Sequence, residues 1–156
     1  MANLTVTVTE DLILNGSTRG STNQLTITGI ESVYERVVTI PANSDGTVVL
    51  TKDTIASSDG AVDIQDTKYI RVTNLDSTNN VNISLQIDAN NNDSDPERSA
   101  TISLPAGHSF VMGTPHDAIA VNDSTASIET TMKDLESIIV DSADQNVTVE
   151  VFVAGA

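Results

Sequence analysis

The residues best equipped for chemistry are few. His108 and His116 are the only histidines, cysteine is absent, and Tyr34, Tyr69, Phe110 and Phe152 are the whole aromatic set. A zinc site built on imidazole would need both histidines together with carboxylates such as Asp117. If His116 and Asp117 lie on a strand, as neighbours they point to opposite faces. His108 follows the turn sequence Pro105-Ala106-Gly107, where an exposed polar side chain is ordinary. Asp88, Asn90, Asn92, Asp93, Asp95 and Glu97 crowd together oxygen ligands of the kind that calcium collects. Their spacing opens like a helix-loop-helix calcium loop, but Asp93 stands where that loop needs glycine and Ser99 where it needs a bidentate glutamate. A solvated hairpin tip is the better reading of residues 88–97. Serine is abundant, yet no Gly-x-Ser-x-Gly elbow and no glycine-rich loop before a helix is present. The expectation is no catalytic, cofactor-binding or metal-binding residue, and no enzyme.

The elements that would position any site read as strands. Leu4, Val6 and Val8 alternate with Thr5, Thr7 and Thr9, a half-buried strand written in β-branched residues. Leu25 and Ile27 repeat the pattern. Residues 33–40 carry Tyr34, Val38 and Ile40 on one face and stop at Pro41, which cannot donate to a ladder. Val48 and Leu50 follow the turn Asn43-Ser44-Asp45-Gly46. Ile70 and Val72, the polar run 74–80, and Val81, Ile83, Leu85 and Ile87 read as one hairpin. Ile102 and Leu104 lead through Pro105-Ala106-Gly107 to a returning strand with Phe110 and Met112. Val147, Val149, Val151 and Val153 form the last strand. Residues 125–137 could make a helical turn, while 135–140 read better as strand. The pattern predicts roughly nine to eleven short strands joined by turns, hence mainly antiparallel sheets. The expected fold is all-β, a single antiparallel β-sandwich over residues 1–156, with a jelly roll as one form it could take. Residues 1–15 are a candidate N-terminal arm or edge strand, ending at Asn15-Gly16.

Composition narrows the partners. The chain has 156 residues, 22 acidic against 7 basic, and a net charge of −15. Seven scattered bases cannot make the stripe that neutralises phosphates, so neither nucleic acid nor an anionic membrane is an expected partner. Disulfides are excluded by the lack of cysteine. The start Met-Ala-Asn-Leu-Thr-Val has neither the basic region nor the apolar run of a secretory signal, and no apolar stretch is long enough for a spanning helix. Only 3% of residues are aromatic, too few for a sugar-stacking platform, so a carbohydrate or adhesion module is the weakest of the readings. The Asn-x-Ser/Thr sequons at Asn3, Asn15, Asn82, Asn92, Asn122 and Asn146 are what a chain rich in those residues contains by chance.

Three segments resemble small virion structural proteins of marine tailed bacteriophages. They are residues 4–16 followed by 25–30, residues 68–76 continued by 81–85, and residues 99–113. The resemblance implies a non-enzymatic part of a phage particle, made in the bacterial cytoplasm and carried on the virion. Among such parts, a capsid decoration or cement protein suits the size. Such proteins clamp the outside of the major capsid protein shell, often as trimers, so the implied partners are that shell protein and further copies of the chain. A tail adaptor or fibre-associated domain is the alternative. The resemblance brings no catalytic residues with it.

Overall fold

The computed structural model describes residues 1–53, 60–88, 98–122 and 127–156. Thirteen strands, and no helix, occur among them: β1 (Ala2–Thr9), β2 (Leu12–Leu14), β3 (Ser17–Arg19), β4 (Thr22–Ile30), β5 (Ser32–Ile40), β6 (Asp45–Lys52), β7 (Val62–Asp63), β8 (Thr67–Asn74), β9 (Val81–Asp88), β10 (Arg98–Leu104), β11 (Ser109–Met112), β12 (Asp134–Asp141) and β13 (Val147–Gly155). Residues 135–140 are thus strand, not helix.

Two sheets face each other. One has the order β10-β9-β12-β6-β7 and the other β11-β8-β13-β5. Leaving aside the two-residue β7, the chain from β5 onward places successive strands in the order first-eighth-third-sixth in one sheet and second-seventh-fourth-fifth in the other. That is jelly-roll winding. All pairs are antiparallel except β6 with β7. The core between the sheets is aliphatic: Ile70, Val72, Val149, Val151 and Val153 from one side meet Val48, Ile83, Leu85, Leu135, Ile138 and Val140 from the other. Burying each such side chain contributes roughly 1.5–3 kcal/mol, so a core without tryptophan or cysteine suffices.

The expected hairpin of residues 70–87 is not a hairpin. β8 pairs with β11 and β13, β9 pairs with β10 and β12, and residues 75–80 cross from one sheet to the other. The turn at Pro105 is real, with the His108 amide donating to the Pro105 carbonyl at 3.1 Å, but β10 and β11 again lie in different sheets. Period-two alternation marks a strand buried on one face. In a sandwich both inner faces produce it, so alternation does not say which sheet a strand joins.

Asn74 fastens both crossings. Its backbone amide donates to His108 and its carbonyl accepts from Gly107. Its buried side-chain amide donates to the carbonyls of Asn79 (2.8 Å) and Leu104 (3.2 Å), while its side-chain oxygen accepts from the Asp76 amide.

Candidate interaction surface

The N-terminal arm is a hairpin, not a lone strand. β1 pairs along its whole length with β4, and β2 with β3 at the tip. Asn15 and Gly16 both have positive φ, 52° and 77°, the conformation that a two-residue turn between twisted strands requires. Between the two ladders the Glu10 amide donates to the Ser21 carbonyl. Gly20 is obligatory there, because a Cβ would stand 2.2 Å from the Glu10 carbonyl oxygen.

The register divides the hairpin into two unlike faces. Leu4 lies opposite Ile27 and Val6 opposite Leu25, with Val8 next along the same face. The other face is Thr5, Thr7, Thr9, Thr22, Gln24 and Thr26, cross-bonded by Gln24 to Thr7 at 3.3 Å and Thr9 with Thr22 at 3.3 Å. The root of the apolar face packs on the outside of the four-stranded sheet. Leu4, Val6, Ile27 and Ile30 cover Tyr69, Phe152 and Ala154, and the Tyr69 and Phe152 rings meet edge to face at 6.1 Å. Beyond the root nothing covers the apolar side chains: Val8 and Leu25 are each 57% exposed, and at the tip Leu12, Ile13 and Leu14 are exposed as well.

A cleft of about 380 Å³ lies between the hairpin and the edge of the four-stranded sheet. Val6, Val8 and Leu25 form one wall, Val111 and Met112 of the edge strand β11 the other, with Lys68 also lining it. Lys68 is exposed and has no ion-pair partner among the described residues. Residues 1–30 hold two acids, Glu10 and Asp11, and one base, Arg19, which leaves fourteen of the fifteen net negative charges on the remainder of the chain. The hairpin is therefore nearly neutral and apolar, and the body it leaves is strongly acidic.

The candidate chemistry falls elsewhere. His116 is in a turn, not on a strand, so the argument that it and Asp117 point apart does not apply. Asp117 takes φ 46° and its carboxylate comes within 3.4 Å of His116 Nε2. Asp134, which the sequence reading did not connect to them, lies 3.0 Å from His116 Nδ1 and accepts from the Asp117 amide at 2.7 Å. The three side chains lie close enough to share an ion, but Asp134 Oδ1 already accepts within the protein, and the cluster fastens the segment before residue 119 to the start of β12. The His108 ring bonds only its own turn, Nδ1 to the Ala106 carbonyl at 2.9 Å. The acidic residues 89–97 of the candidate calcium loop lie outside the described residues. None of the four aromatic rings is exposed, and Arg71 closes the sheet face beyond the hairpin by pairing with Glu150 at 2.6 Å. No helix of the described residues is long and apolar enough to cross a membrane.

Leu25 and Ile27 read as a strand in the sequence, but nothing local joined that strand to residues 1–15 as the return half of one hairpin, or brought Lys68 and Val111 beside it. A signal for the tip was present, since Leu12-Ile13-Leu14 breaks the alternation beside an Asn-Gly turn and so has no single buried face to occupy.

No protein-family model matches the chain, and no curated protein matches it. Among solved structures, a chain from the disulfide-linked pili of Bacillus endospore appendages aligns with 83% of this chain and 93% of its own, at 12% identity and a TM-score of 0.38. A likeness of that size assigns no role. None of the comparisons brings forward a phage protein, so the resemblance to virion proteins rests on the sequence segments alone.

Proposed function

We propose that the chain is a non-enzymatic virion structural protein that decorates the outside of a capsid shell, binds the major capsid protein and stabilises the shell. The observation that carries this reading is the projecting hairpin, whose apolar face is satisfied at the root and bare towards the tip. An exposed apolar surface of this kind marks a contact with another macromolecule. The jelly roll is used by capsid proteins and lectins alike, so it supports a structural role only by analogy. The lack of any exposed ring favours the structural reading over a lectin's. A subunit that binds the assembled shell but not its separated parts shifts the equilibrium towards the shell by mass action. The acidic body keeps the free subunit soluble until then.

Particles carrying a chain with residues 10–21 replaced by a two-residue Asn-Gly turn test the assignment. The root pairing of β1 with β4 stays intact in that variant, and occupancy on the shell is expected to fall at least tenfold. Unchanged occupancy would remove the hairpin from the contact. Density for the wild-type chain confined to the tail would replace capsid decoration with the adaptor role.

A further inference from the structure

We infer that the cleft between the hairpin root and β11 is the receptor for the hairpin tip of a second copy of this chain. Each half of the contact is present on the same molecule. The tip offers Leu12, Ile13 and Leu14, all exposed, and the cleft offers a concave surface of about 380 Å³ with Val8, Leu25 and Val111 uncovered. The charges are of opposite sign overall. Glu10 and Asp11 precede Leu12 on the tip and outnumber Arg19, which lies opposite Leu12, and the exposed Lys68 stands at the cleft without an ion-pair partner among the described residues. Tip and cleft are different surfaces, so each contact joins unlike patches, and two such contacts made reciprocally would close a two-fold pair.

Electrostatics selects this mode over a direct meeting of bodies. Fourteen net negative charges on each body oppose close approach of two copies. The contact residues Leu12 to Leu14 lie four to six residues beyond Val8, which at about 3.3 Å per residue lets the tip reach up to about 13–20 Å from its own cleft. That spacing exceeds the Debye length of about 8 Å at physiological salt, so the bodies are screened from each other while the neutral apolar surfaces touch. A chain linked in this way also binds a repetitive surface through several weak contacts at once.

The inference goes beyond shell binding, and its test uses the purified full chain with no particle present. Light scattering at micromolar concentrations is expected to show a mass of two or more chains for the wild type. Ile13→Asp spoils the tip and Val111→Asp spoils the cleft, both at exposed positions away from the core, and each variant alone is expected to be monomeric. Mixed together they retain one good tip and one good cleft, and a one-to-one heterodimer should form. A monomeric wild type would overturn the inference without touching the shell assignment, which is read on particles. Variants that still self-associate, or a mixture that stays monomeric, would overturn it too, the latter pointing to a contact between like surfaces.

Discussion

At Asn74 a single side chain joins two connections that are remote in sequence. The carbonyls of Asn79 and Leu104 depend on its amide group, and the residue is fully buried. Leucine at this position fills the space but removes both donors. A buried carbonyl left without a partner costs about 1–3 kcal/mol, so Asn74→Leu is expected to lower stability by about 3 kcal/mol, or roughly 10 °C in Tm. A thermal scan of the variant checks it, and a loss under about 1 kcal/mol would mean that the crossings do not depend on this residue. Nearby, the Asp76 side chain accepts from the amides of Asn79 and Thr78, both at 2.8 Å, and these bonds hold its pKa below the ordinary 3.8. Because the folded value is the lower one, the bonds contribute fully above pH 3.8 and the contribution is lost as the pH falls through the folded value. Protection of the Thr78 and Asn79 amides, relative to the intrinsic exchange rate at each pH, should fall over that acid range in the wild type, and Asp76→Ala should show the lower protection already at neutral pH. Thr51 acts in the same local manner, its hydroxyl donating towards the carbonyls of Leu135 and Glu136 where β12 bulges against β9.

The hairpin is the element on which the functional account turns, and its root is held by few contacts. Tyr69 is buried beneath it on the outer face of the sheet, away from the core between the sheets. Tyr69→Ala should therefore cost about 3 kcal/mol, with the loss concentrated in the arm. Proteolysis within residues 1–30 should accelerate well before the sandwich strands β9 and β12 lose amide protection. Equal loosening of both would show that the arm and sandwich unfold as one unit. Strand positions along β1, β4, β5, β8, β9 and β13 were legible in the sequence, because alternation of apolar and polar residues is a local property. Partnership was not legible. β1 finds β4 and β8 finds β11 and β13 through contacts distant in sequence, and Val81 to Ile87 would read the same in either sheet. The His116, Asp117 and Asp134 cluster was hidden for the same reason, since its third member comes from β12.

For the molecule as a whole, the distribution of charge says more than its total. A net −15 read from composition is a single number, whereas the folded chain separates a nearly neutral arm from an acidic body. The aliphatic core supplies a rigid base for that arm. Ile138→Ala, at the centre of the core and fully buried, should cost about 2–5 kcal/mol while leaving the exposed tip unchanged, so a folded fraction of this variant should still occupy the shell. Capsid decoration, as proposed above, makes the chain a stoichiometric outer component of a shell. Its most direct test is the ratio of this chain to the major capsid protein in purified intact particles. The account predicts a fixed ratio of the same order as the shell subunit itself, and a few copies per particle, or none, would contradict it.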